Sequence, residues 1–199
     1  MKYVLATANP GKIKEMRELL AEFDIDVVTR EDLGINIDIE ETGTTFLENS
    51  KLKAEVICAA SGMPAIADDS GLVVEALDGE PGVYSSSYGG GELTAGERCN
   101  YLLRKMKNAE NRRASFVCTI TCVFPDGKIL TANGECNGKI ATGLKGTGGF
   151  GYDPVFIPDG KKVTMAELRI DEKNAISHRG NALRNFSKLL KMHKEGSCI

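Results

Sequence analysis

Apolar positions along this chain follow two rhythms, one with the period of a helix and one with the period of a strand. Ile13, Met16, Leu19 and Leu20 form a stripe at helical spacing, which predicts a helix from Pro10 to about Leu20. Pro10 suits its first turn, where a missing amide hydrogen costs nothing. A strand from Tyr3 to Ala6 precedes it, and a short one around Ile25 to Val28 follows. Three Thr-x-x-Glu pairs, Thr45/Glu48, Thr94/Glu97 and Thr164/Glu167, are capping boxes that announce helices. The first of these helices should run to about Ser61 and stop at Gly62, before Pro64. The second carries Cys99, Leu102, Leu103 and Met106 on one face, and the third is one short turn. A last helix, from about Asn181 to His193, should bury Leu183, Phe186 and Leu190.

Strand signals lie at Ala65 to Ala67, Leu72 to Glu75, Ser115 to Phe124 and Lys128 to Gly134. The last two flank Pro125-Asp126-Gly127, a hairpin turn by composition. Helices and strands alternate irregularly, so the predicted fold class is α/β. The expected architecture is an elongated mixed sheet in two lobes, flanked by helices around a central cleft, with residues 1–199 as a single two-lobed domain.

Composition narrows the classes. The 199 residues are 42% hydrophobic and 27% charged, ordinary for a globular domain. Net charge is −3, so no basic field points to nucleic acid as a partner. No apolar run approaches the roughly 20 residues of a membrane span. The start, Met1-Lys2-Tyr3-Val4-Leu5, has no signal-peptide cleavage region, and a cytoplasmic location is expected. The six cysteines, Cys58, Cys99, Cys118, Cys122, Cys136 and Cys198, lack metal-ligand spacing and read as free thiols. Cys118 and Cys122 share a strand parity with Phe116, Ile120 and Phe124. Cys198 is placed wrongly for prenylation.

The candidate chemistry starts at Asp68-Asp69-Ser70-Gly71, where an apolar run ends. Adjacent carboxylates resist joint ionisation, which a divalent cation would relieve. Two readings stand here, a cation site and a solvated turn. Thr7-Ala8-Asn9-Pro10-Gly11-Lys12 joins the first strand to the first helix and reads either as a phosphate cradle or as a simple capped helix start. Glu40-Glu41-Thr42-Gly43 is a second acidic turn that would complete a cation site with Asp69. Asn49 and Lys53, four apart, share a helix face. Carboxylates without histidine favour magnesium or manganese over zinc. Gly146-Thr147-Gly148-Gly149-Phe150-Gly151-Tyr152-Asp153-Pro154 reads as a binding loop with an aromatic platform for a nucleobase. Lys173 and Ser177-His178-Arg179, placed just before the last helix, offer donors to a base edge or a phosphate. Together these describe a nucleoside triphosphate site without a P-loop.

Thr7-x-Asn9-x-x-Lys12, Ala67-Asp68-Asp69-Ser70-Gly71-Leu72, Gly148-Gly149-Phe150-Gly151-Tyr152-Asp153-Pro154 and Ser177-His178-Arg179-Gly180 resemble, in order, the motifs of the inosine/xanthosine triphosphate pyrophosphatase family. The resemblance covers Tyr3 to about His193. It implies a homodimer that uses Mg2+ to cleave non-canonical purine triphosphates (ITP, dITP, XTP) to monophosphate and pyrophosphate. By motif, Thr7, Asn9, Lys12 and Lys53 bind phosphates, with Ala8, Pro10, Gly11 and Ser70 among the substrate contacts. Glu40 and Asp69 hold the metal, Asp68 stands nearby, and Asp69 helps activate water. Phe150 stacks on the purine beside Gly151 and Tyr152, while Asp153, Lys173, Ser177, His178 and Arg179 read the base. Donors from Arg179 and Lys173 suit the six-position carbonyl of hypoxanthine and xanthine; guanine shares that carbonyl, so its rejection involves the two-position. The chain departs from the family at Ser87, where bacterial members often have arginine. The alternatives are a pyrophosphatase for other modified nucleotides and a nucleotide-binding sensor without catalysis.

Overall fold

The computed structural model describes residues 2–196, so Cys198 lies outside the described residues. Its elements are β1 (Lys2–Leu5), α1 (Pro10–Ala21), β2 (Asp26–Thr29), α2 (Phe46–Ser61), β3 (Ala65–Val74), α3 (Ala95–Lys105), β4 (Arg113–Val123), β5 (Ile129–Ile140), β6 (Phe156–Pro158), α4 (Ile170–Ile176) and α5 (His178–Gly196). Six strands are ordered β2-β1-β3-β4-β5-β6. β1 is parallel to both β2 and β3, and β5 is antiparallel to β6, so the sheet is mixed.

Local chemistry sets most of the boundaries. Asn9 caps α1 through Oδ1, which accepts from the amides of Gly11 at 2.9 Å and Lys12 at 3.3 Å. The Thr45/Glu48 box starts α2, and Gly62, left-handed at φ 64°, ends it. The Thr94/Glu97 box starts α3 in the same way. Thr164/Glu167 caps only the 3₁₀ turn Met165–Glu167, the single short turn expected there.

Two compact units result. The first comprises residues 1–69, 118–134 and 179–199. Its main core packs Met16, Leu19 and Leu20 of α1 with Leu183, Phe186 and Leu190 of α5 and with Cys118, Ile120 and Cys122 of β4. A second cluster sets Ala54, Ile57 and Cys58 of α2 against Val4, Ala65 and Ala67. The second unit comprises residues 70–117 and 135–178. There Cys99, Leu102 and Met106 pack with Leu72, Val74, Phe116, Cys136, Tyr152 and Phe156.

Several elements differ from the pattern. β5 continues beyond Gly134 to Ile140, its side chains alternating buried and exposed through polar Glu135, Asn137 and Lys139. β6 and α4 are additions to the predicted elements; each is too short to carry a periodic signal. α5 begins at His178, ahead of the apolar stripe that makes it visible. Finally, Ala65 to Val74 is one uninterrupted strand, not two strands around a turn.

Candidate active site

That last difference decides the chemistry of Asp68 and Asp69. Of the two readings of Asp68-Asp69-Ser70-Gly71, the solvated turn is not there; both aspartates lie within β3 and both are buried. Successive strand residues face opposite sides of a sheet, so neighbours in sequence meet different surroundings. Asp68 is fully buried and accepts from Arg179 Nη2 at 2.9 Å, with Lys12 Nζ 3.0 Å from the same Oδ2. Arg179 Nη1 bonds Glu15, a buried acid on α1. Burial alone would raise the Asp68 carboxyl, but Lys12 and Arg179 outweigh it and hold it far below the carboxylate range.

Asp69 has a different cation. Lys53 Nζ lies 3.2 Å from Asp69 Oδ1 and 2.9 Å from Glu41 Oε1. Asn49, one turn before Lys53 on α2, donates from Nδ2 to Asp69 Oδ2 at 3.4 Å. The amide of Gly43 in turn donates to Asn49 Oδ1 at 2.8 Å. A Cβ on Gly43 would meet that oxygen at 2.6 Å, so glycine is needed for the close approach. Burial pushes the Asp69 carboxyl up, Glu41 and Asp68 add to the rise, and Lys53 and Lys12 offset only part of it. Burial also opposes the Lys53 charge, but Asp69, Asp68 and Glu41 hold its ammonium above the usual lysine value. The result is a buried carboxylate pinned by a lysine and an amide, with a raised proton affinity.

The second unit holds the other group. Asp153 Oδ2 accepts from Lys173 Nζ at 2.6 Å and from the Phe150 amide at 2.8 Å. The Lys173 ammonium also lies 5.0 Å from the Phe150 ring centroid, within cation–π range. Gly149, at φ 69°, makes this possible, since a Cβ there would collide with Asp153 Oδ2. His178 stacks on Phe116, ring centroids 4.7 Å apart and planes 12° apart.

A model of the Ham1 family matches residues 3–189. The chain belongs to the Ham1 family. It is 47% identical over 193 residues to a dITP/XTP pyrophosphatase of Deinococcus deserti, covering 97% of this chain and 89% of that one. A dITP/XTP pyrophosphatase of Thermus thermophilus is 48% identical over 199 residues, with coverage of 98% and 93%. Among solved structures, the Staphylococcus aureus Ham1 protein superposes with a TM-score of 0.87 at 40% identity, covering 97% of this chain and 100% of that one. A HAM1 protein from Coxiella burnetii gives 0.88 at 41% identity, with coverage of 96% and 99%.

For this Ham1 chain the structure gathers Lys12, Arg179 and Asp68 in one network and Lys53, Asn49 and Asp69 in another. It gathers Phe150, Asp153 and Lys173 in a third. Several expected residues do other work. Asn9 spends its side-chain oxygen on capping, so the Gly11 and Lys12 amides are already bonded, as in the simple capped helix start. The Asn9 amide itself donates to Thr7 Oγ1 at 3.2 Å, while Ala8 and Pro10 are exposed. Tyr152 is an anchor in the core: it is buried, and its hydroxyl donates to the Ser85 carbonyl at 3.0 Å. The Gly151 carbonyl accepts from Cys99 Sγ at 3.3 Å. Arg179, expected at the base edge, gives its two terminal nitrogens to Glu15 and Asp68. Ser177 is extended and buried between α4 and α5, and Ser70 continues β3.

Of the acidic turn, it is Glu41 that reaches Lys53, while Glu40 is exposed. Ser87, at the family departure, bonds back onto the Tyr84 carbonyl within its own turn. Glu15 is a site residue that the motifs leave out. Its signal is an acid breaking the apolar stripe of α1 beside Met16, since an acid on a buried face needs an ion pair. Among the described residues no group of three or more His, Cys, Asp or Glu side chains is arranged to hold a metal. No helix among them is long and apolar enough to cross a membrane.

Proposed function

We propose that this Ham1-family protein hydrolyses non-canonical purine nucleoside triphosphates, ITP, dITP and XTP, to the monophosphate and pyrophosphate. The observation that carries the reading is the Lys53–Asp69 pair: a buried carboxylate of raised proton affinity, held by a lysine and an amide. A protein that only binds nucleotides has no need to bury such a base, which disfavours the sensor alternative. Identity of 47% and 48% to two dITP/XTP pyrophosphatases over nearly the whole chain supports the substrate class.

In this proposal Lys12 and Lys53 neutralise the triphosphate, and Asp69 takes a proton from the water that attacks the α-phosphorus. Asp68, kept charged by Lys12 and Arg179, fixes the position of Lys12. In this proposal the carboxylates that would hold Mg2+ are Asp69 and those of the acidic turn, Glu40 and Glu41, since oxygen donors without histidine suit that ion. Few protein ligands suit magnesium, which commonly keeps waters and takes substrate phosphates. When bound, Mg2+ supplies charge neutralisation at the phosphoryl oxygens. Phe150 stacks on the base, and Lys173, aimed by Asp153, donates to a carbonyl at the six-position. Adenine presents an amino donor there and leaves the lysine mismatched. In this reading Arg179 serves the triphosphate end, by keeping Asp68, and through it Lys12, in place.

The proposal extends to a homodimer acting in the cytoplasm, where a reducing medium keeps thiols such as the five buried free cysteines reduced. Product analysis tests the reaction. Inosine monophosphate and pyrophosphate from ITP, lost on adding chelator, are the expected products. Inosine diphosphate and phosphate would overturn the bond assignment.

A further inference from the structure

One cavity of the second unit, about 240 Å³, takes no part in the groups described above. Its lining includes Arg112, Lys139, Lys145 and Lys162, with Glu167 as the sole carboxylate. Among the described residues none of these four cations is within salt-bridge distance of an acid. Glu167 is already engaged, accepting from the Thr164 amide at 2.7 Å and the Thr164 hydroxyl at 3.1 Å. A chain of net charge −3 therefore concentrates positive charge at one concave spot.

Arg112 is built into the wall. It donates from Nε to the Ile140 carbonyl at 2.8 Å, from Nη1 to Met106 at 3.2 Å and from Nη2 to Ala141 at 2.7 Å. The guanidinium is half-buried, and its partners are neutral carbonyls that orient it without cancelling its charge. Burial pulls its proton affinity down, as an uncompensated charge should. The three lysines are exposed and able to move their ammonium groups onto a ligand.

We infer that this cavity is a second anion site, shaped for a small phosphate-class anion such as inorganic pyrophosphate. Its volume is roughly that of eight waters at about 30 Å³ each, below the range of drug-sized pockets and ample for a compact oxyanion. None of its lining residues is among those proposed to contact the nucleotide. The site also shares a wall with the Phe150 loop. Thr164 Oγ1 donates to the Lys145 carbonyl at 2.8 Å, the Lys145 amide to Pro154 at 2.8 Å, and the Gly148 amide to Ala166 at 3.0 Å. An anion gripped by Lys145 thus braces the segment that carries the aromatic platform.

Calorimetric titration of the full chain with pyrophosphate, in chelator, tests this. Pyrophosphate also fits the lysines proposed for the nucleotide, so a Lys12→Ala/Lys53→Ala protein isolates the second site. Binding should persist there and weaken by about tenfold for each cation removed in Lys139→Gln and Lys162→Gln. Titrating the otherwise wild-type Lys139→Gln/Lys162→Gln protein gives a second reading, a stoichiometry lower by one. ITP turnover without added anion should be unchanged in that variant. Loss of all binding in a Lys12→Ala/Lys53→Ala protein that keeps its native circular dichroism spectrum, or unaltered binding and stoichiometry in Lys139→Gln/Lys162→Gln, would overturn the site. Both readings are of binding, so their failure is distinguishable from a failure of the proposed hydrolysis.

Discussion

Arg179 and Asp68 form a buried ion pair, Nη2 to Oδ2 at 2.9 Å, joining the first turn of α5 to the middle of β3. Removing one partner strands the other charge in the interior, the costliest way to disturb such a pair. Asp68→Asn should therefore lower stability by about 3–5 kcal/mol, measured by urea unfolding at pH 7. The pH dependence has a definite sign, because the native carboxyl is depressed. The contribution of Asp68 is intact above about pH 4, the ordinary carboxylate value, and drains away as pH falls below it. Wild type should lose stability in that window more steeply than Asp68→Asn.

Asp69 sits one residue away and has a different task. Asp69→Asn keeps the shape and the Asn49 contact but removes the base. Turnover of ITP should fall by about two to four orders of magnitude with an unchanged circular dichroism spectrum. Retention of most activity would remove Asp69 from the mechanism.

Gly149 separates base holding from phosphate chemistry. A methyl group there collides with Asp153 Oδ2, in a backbone already at φ 69°. Gly149→Ala should displace Asp153 from Lys173 and raise KM for ITP by roughly tenfold, with a smaller change in kcat. Steady-state kinetics give both numbers.

The cysteines should be chemically quiet. Burial pushes the Cys99 and Cys136 thiols up to about 11, with help from Asp153 in both cases, and the Cys118 thiol to about 12. At pH 8 only about one thiol in a thousand is then ionised at Cys99. In a Cys198→Ser protein, thiol titration should find no fast-reacting group when native and all five buried thiols in urea. Reaction should accelerate as pH climbs toward 11.

Helices are legible in the sequence wherever a cap meets a stripe. Asn9-Pro10, Thr45/Glu48 and Thr94/Glu97 each place a start within about one residue, because the donor and the acceptor are neighbours in the chain. β3 is hidden because Asp-Asp-Ser-Gly is turn composition. What makes it strand is neutralisation from afar by Lys12, Lys53 and Arg179, which no local pattern contains. The same reason hides Glu15, whose partner is 164 residues away. Asn49 and Lys53 are legible as one helix face, and the structure puts both on Asp69. Arg179 reads from its residues as a donor to a base edge or a phosphate, and from the resemblance as a base contact; in the structure its terminal nitrogens bond Glu15 and Asp68, partners too distant in sequence for any local pattern to show.

This Ham1-family chain should hydrolyse deaminated purine triphosphates in preference to the ordinary ones. The most direct measurement is kcat/KM from pyrophosphate release for ITP, dITP, XTP, GTP and ATP in magnesium. Values for the first three that exceed those for GTP and ATP by at least about a hundredfold are the predicted result. Equal rates on all five, or release from none, would contradict it.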